Sequence, residues 1–88
     1  MSLAEDELLR RVSAVVRTTF GLPPGYVVSA ATTSADIDGW DSLSHSILIM
    51  GIEEQFGVEL PMERAFELHD VGELMDLIGE AGGERGVD

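Results

Sequence analysis

An all-α fold is predicted: a small antiparallel four-helix bundle of three main helices and one short one, with a long first loop. Three observations predict it. Apolar residues recur at helical spacing in three separate stretches. A short helical turn follows the second stretch, and three main helices with one short one close into a small bundle. Helix-start and helix-stop residues bracket each of the three stretches. The 88 residues fit one domain with one small core, and a hydrophobic content of 44% argues for a folded chain.

The first helix is expected over Ala4–Phe20, where Leu8, Leu9, Val12, Val15, Val16 and Phe20 share a face. Glu5, Asp6 and Glu7 occupy its first turn and Arg17 lies near its end, which suits the helix dipole. Gly21-Leu22-Pro23-Pro24-Gly25 ends it. Residues 21–41 have no clean period. Tyr26, Val27, Val28, Ile37 and Trp40 are expected to anchor that segment across the helices. Asp38-Gly39 reads as a turn.

The second helix is expected over Ser42–Phe56, capped by Asp41 or Ser42 and stopped by Gly57. Its apolar residues form two stripes. Leu48, Ile49, Ile52 and Phe56 make one; Leu43, Ile47 and Met50 make another on roughly the opposite side at about 100° per residue. A helix at the surface of so small a domain needs only one. The second stripe, flanked by Glu53 and Glu54, therefore reads as a docking face, unless the long loop covers it. After the loop Gly57–Pro61 comes a short helical turn, Met62–Leu68. A last helix is capped by Asp70, with Val71, Leu74, Met75 and Ile78 toward the core. Glycines from Gly79 onward predict a frayed tail over 82–88 of this single domain, 1–88.

Charge and composition exclude several functions. Seventeen acidic residues against five arginines and no lysine give a net charge of −12, so nucleic acid is a poor partner and basic protein surfaces are good ones. Without cysteine there is no disulfide, thiolate metal site or cysteine nucleophile. The acidic start Met1–Glu7 is unlike a secretory signal, and no apolar run reaches the ~20 residues of a membrane span. A cytoplasmic, monomeric protein off the membrane is the expectation.

Ser34–Gly39 imitates the start of a calcium loop but lacks the glutamate at position twelve, where His45 stands. His45 and His69 have no zinc-binding spacing. His45 falls on the Leu48/Ile49 side as a packing residue, and His69 joins the entry turn of the last helix. Ser42, Asp41 and a histidine could imitate a hydrolase triad, yet no oxyanion hole or substrate pocket is evident in the sequence. Ser42 itself stands at a helix N-terminus, where a negatively charged phosphodiester is tolerated.

Asp41-Ser42-Leu43 at the start of a helix resembles the attachment motif of acyl carrier proteins. The run Ile49-Met50-Gly51-Ile52-Glu53-Glu54-Gln55-Phe56-Gly57-Val58-Glu59-Leu60-Pro61 is similar to that family's second helix and following loop, and the likeness extends over about Leu8–Ile78. The resemblance implies that Ser42 carries 4'-phosphopantetheine, placed there from coenzyme A by a phosphopantetheinyl transferase. It implies that the arm's thiol holds an acyl group as a thioester, and that the carrier catalyses nothing itself. Asp41 and Leu43 would frame the attachment site. Leu43, Ile47, Met50, Glu53, Glu54, Glu59 and Glu63 would meet basic, apolar-lined mouths of acyl-loading and acyl-transferring enzymes.

The family's fatty-acid-synthesis members typically carry acids two and five residues after the serine. Ser44 and Ile47 stand there instead. This directs the expectation to a free-standing carrier in a specialised pathway, modified fatty acyl or polyketide-like. Trp40-Asp41 suits the acyl type better than the peptide-synthetase pattern, but an aminoacyl carrier stays open, as does an unmodified acidic helical adaptor.

Overall fold

The computed structural model describes residues 5–82. Helix α1 spans Glu5–Phe20, α2 Ser42–Phe56, α3 Met62–Ala65 and α4 Val71–Glu80, and a 3₁₀ turn, Ser34–Asp36, interrupts the long first loop. Together they make the all-α, four-helix arrangement expected from the apolar periodicity. Of the predicted tail, residues 83–88 lie outside the described residues.

Leu8, Val12 and Val16 of α1 meet Leu48, Ile49 and Ile52 of α2 and Val71, Leu74, Met75, Leu77 and Ile78 of α4 in one core. Leu48, Ile52 and Ile78 are wholly shielded from solvent. Helices α1 and α2 form the broadest interhelical contact. Burying residues of this size stabilises the fold by roughly 1.5–3 kcal/mol each, before the entropy of ordering the chain is set against it.

The long loop is ordered by its own contacts. Val28 and Ile37 enter the core, and the Tyr26 hydroxyl donates to the Asp36 carbonyl at 3.2 Å. Asp36, one of the acids of the calcium-like run, turns back to accept from the Thr33 N–H at 2.9 Å. Ala30 and Thr32 offer their carbonyls to the N–H groups of Gly72 and Val71 at 2.8 and 2.9 Å, satisfying two donors that the start of α4 leaves unpaired. One expected anchor is corrected. Val27 points into solvent, 83% exposed, while its neighbour Val28 takes the inward position.

Helix α3 is shorter than the sequence suggests, ending at Ala65 rather than Leu68. A continuing helix would pair the Ala65 carbonyl with the His69 N–H. Instead that carbonyl lies 2.6 Å from His45 Nε2, and the His69 N–H donates to Glu73 Oε1 at 2.7 Å. Side chains from two other helices have taken both halves of the next helical hydrogen bond.

Candidate functional site: the start of α2

Ser42 is the first residue of α2 and is exposed. Of the two candidate caps, Asp41 does the work: its extended backbone leads into the helix and its carboxylate accepts from the Ser44 N–H at 2.9 Å. That bond, followed by one from the Ser44 side chain, holds the Asp41 carboxyl below its ordinary 3.8. The Ser42 hydroxyl makes no hydrogen bond among the described residues, so it is spared for other chemistry. Ser46, by contrast, spends its hydroxyl on the Ser42 carbonyl at 3.1 Å, and Ser44 is half-buried.

A cleft of about 300 Å³ opens beside Ser42, lined by Trp40, His45, Phe66, Leu68, His69 and Leu74 among others. Its His45 is committed. The Trp40 indole N–H donates to His45 Nδ1 at 2.9 Å, and His45 Nε2 faces the Ala65 carbonyl. Neither ring nitrogen of His45 is free to take a proton from Ser42, so His45 does not complete the triad that the sequence could have suggested. His45 is thus half-buried, as its place on the helix implies, but its polar bonds have no signature in the periodicity. His69 joins the entry turn of α4 as expected, pairing with Glu73 and holding that carboxyl below its usual range.

The second stripe of α2 is bare. Leu43 is 73% exposed, Ile47 51% and Met50 66%, so the long loop does not cover them. Met62 of α3 and Phe66, the residue that follows the helix, are exposed too, and their spacing of four residues was the available signal for a shared outward face. Of the four acids proposed around the stripe, Glu54, Glu59 and Glu63 lie at the surface. Glu53 is drawn inward: its carboxylate accepts the Leu60 N–H at 2.9 Å and closes the loop after α2.

An exposed, unpaired serine on a helix N-terminus, with a cleft at its side, suits a covalently attached, negatively charged group. Residues 10–78 match the family described as phosphopantetheine attachment site. The chain belongs to the acyl carrier protein family. It is 39% identical over 74 residues to an acyl carrier protein of Thermosynechococcus vestitus, covering 84% of this chain and 90% of the relative. An acyl carrier protein of Tropheryma whipplei is 31% identical, with 89% and 94% covered. The solution structure of holo acyl carrier protein from Geobacter metallireducens superposes with a TM-score of 0.77 at 29% identity, over 89% and 88% of the two chains. Hexanoyl acyl carrier protein from the actinorhodin polyketide synthase of Streptomyces coelicolor gives 0.63 at 28% identity, over 92% of each.

Membership makes the chain a carrier rather than an enzyme, bearing covalent 4'-phosphopantetheine and served by a phosphopantetheinyl transferase and acyl-handling enzymes. Among the described residues no helix is long and apolar enough to cross a membrane.

Proposed function

We propose that Ser42 is the attachment point and that this acyl carrier protein serves a specialised fatty-acyl or polyketide-type pathway. The observation that carries the first part is the unpaired, exposed Ser42 hydroxyl at the N-terminus of α2, framed by a cap residue whose carboxylate is turned onto Ser44. When bound, the arm supplies a terminal thiol that carries an acyl group as a thioester. The chain's own residues contribute position and address. Asp41 fixes the first turn of α2, and the helix dipole favours the phosphodiester charge on Ser42. Leu43, Ile47 and Met50 offer apolar contact, with Glu54, Glu59 and Glu63 as an acidic rim for basic enzyme mouths.

The pathway reading rests on Ser44 and Ile47. With no carboxylate at either place, recognition along the first two turns of α2 leans on apolar area, and Ile47 presents it. The hexanoyl-bearing polyketide carrier of Streptomyces coelicolor shows that the same fold serves such chemistry in another protein. We further propose that the carrier is monomeric, since a charge of −12 opposes self-association. Incubation with coenzyme A and a broad-specificity transferase, followed by fragmentation of the modified peptide, tests the assignment. The added mass is expected on Ser42; finding it on Ser44 or Ser46 overturns the site.

A further inference from the structure

The imidazole of His45, on α2, bonds to two other parts of the fold. It lies three residues after Ser42, at a spacing that puts the two side chains on neighbouring positions of one helix face. Because an indole N–H can only donate, His45 Nδ1 must present its lone pair to Trp40. The ring hydrogen then sits on Nε2 and points at the Ala65 carbonyl, so two partners fix one neutral tautomer. Trp40 belongs to the loop that enters α2, and Ala65 ends α3. Aromatic contacts extend the line at both ends: Phe20 stacks on Trp40 with centroids 4.9 Å apart, and Phe66 meets His45 edge-on at 5.0 Å.

Both joined segments need such a tie. The loop turns at Gly39, whose φ of +87° only glycine adopts at ease, and a swivel there would displace Asp41 and Ser42. Helix α3 is four residues long, too short to persist by its own cooperativity.

We propose that His45, clamped between Trp40 and Ala65, is a positioning residue for Ser42: it holds the entry loop and the end of α3 to the first turns of α2, so that the serine hydroxyl meets an incoming transferase in a single orientation. This rests on the carrier reading. In the loading step the Ser42 Oγ–phosphorus bond forms as the pyrophosphate bond of coenzyme A breaks. Adenosine 3',5'-bisphosphate leaves, and the hydroxyl proton passes to a base of the transferase. The clamp acts on where Oγ stands when that exchange begins.

The test compares wild type, Trp40→Phe, His45→Leu and the double variant. Trp40→Phe keeps an aromatic ring against Phe20 while removing the donor. Each single change is expected to lower kcat/KM for arm transfer roughly fivefold, the size of one net hydrogen bond. The double variant is expected to fall no further than the weaker single, since both break the same clamp. Tyr26→Phe, which loses a bond elsewhere in the loop, is expected to load like wild type. Unchanged rates in both singles, or effects that multiply, overturn the proposal. Amide exchange supplies a readout independent of loading. In Trp40→Phe it is expected to quicken at residues 40–43 while α1 and α4 keep their protection; unchanged exchange at 40–43 overturns the clamp. Should wild type take no arm, the carrier reading falls, and the exchange result still decides whether the clamp exists.

Discussion

The carboxylate of Glu53 accepts the backbone N–H of Leu60 at 2.9 Å, seven residues along the chain and past the bend at Gly57. Leu60 is buried, so the bond sets where the loop after α2 returns to the core. Glu53 looks like a surface acid in sequence but works as a loop fastener. Glu53→Ala is expected to cost about 1 kcal/mol, and roughly 5 °C in Tm for a chain of this size, by thermal denaturation. Glu53→Gln, which keeps an acceptor oxygen, should lose clearly less. Equal losses in both variants would contradict the fastener role.

Gly57 closes α2 with φ of +64°, its own N–H returning to the Glu53 carbonyl. A side chain at that left-handed position is strained, and Gly57→Ala is expected to destabilise by about 1 kcal/mol in chemical denaturation. The m-value should stay unchanged, because the surface exposed on unfolding does not alter.

The two stripes of α2 should respond to substitution in opposite ways. Leu48→Ala removes a fully shielded side chain and is expected to cost 2–5 kcal/mol, about the range for such cavities. Ile47→Ser and Met50→Ser, on the exposed stripe, are expected to stay within about 0.5 kcal/mol of wild type. Binding of partner enzymes should weaken in the surface variants alone, measured by titration with the transferase. Loss of stability in Ile47→Ser would show that the stripe is covered.

Asp41 gives a pH dependence of known sign. Its carboxyl is held below 3.8 chiefly by the Ser44 N–H, so the charged form stabilises the folded state. That contribution is fully present above pH 3.8 and is lost as pH falls through the lowered folded value. The stability gap between wild type and Asp41→Ala is therefore expected to be constant at neutral pH and to narrow on acidification below 3.8. A gap that widens there would contradict the cap.

Net charge makes its own demand. With −12 on the chain, and exposed ion pairs only at Arg10–Glu7 and Arg64–Glu80 besides the His69–Glu73 contact among the described residues, repulsion outweighs attraction. Raising salt from about 0.01 to 0.15 M shortens the Debye length from roughly 30 to 8 Å and is expected to raise Tm. A falling Tm would mean that the few ion pairs dominate.

The sequence made the helices legible where local chemistry decides them. Asp41 and Gly57 bracket α2 because a carboxylate caps and glycine turns left-handed. Asp70 opens α4 for the same reason, its side chain accepting from the Glu73 N–H. The bare stripe of Leu43, Ile47 and Met50 was legible because one helix carried more apolar faces than a small bundle can bury. What stayed hidden depends on partners distant in sequence. Nothing local tells that Ala65 gives its carbonyl to His45 and so ends α3, or that Ala30 and Thr32 serve the first amides of α4. Trp40 and His45 were each visible, one as an anchor and the other as a packing residue; that they bond each other follows only from the fold. Ser42 was singled out by its place at a helix start together with the likeness of Asp41-Ser42-Leu43 to the acyl carrier attachment motif, and its unpaired hydroxyl emerged from the geometry.

The most direct test of the central claim is intact mass before and after incubation with coenzyme A and a broad-specificity phosphopantetheinyl transferase, run on wild type and Ser42→Ala. Because Asp41 and not Ser42 caps α2, the variant should fold like wild type. The expected result is one arm's added mass on wild type and none on Ser42→Ala. Equal loading of both, or no loading of a folded, previously unmodified wild type, would contradict Ser42 as the attachment point.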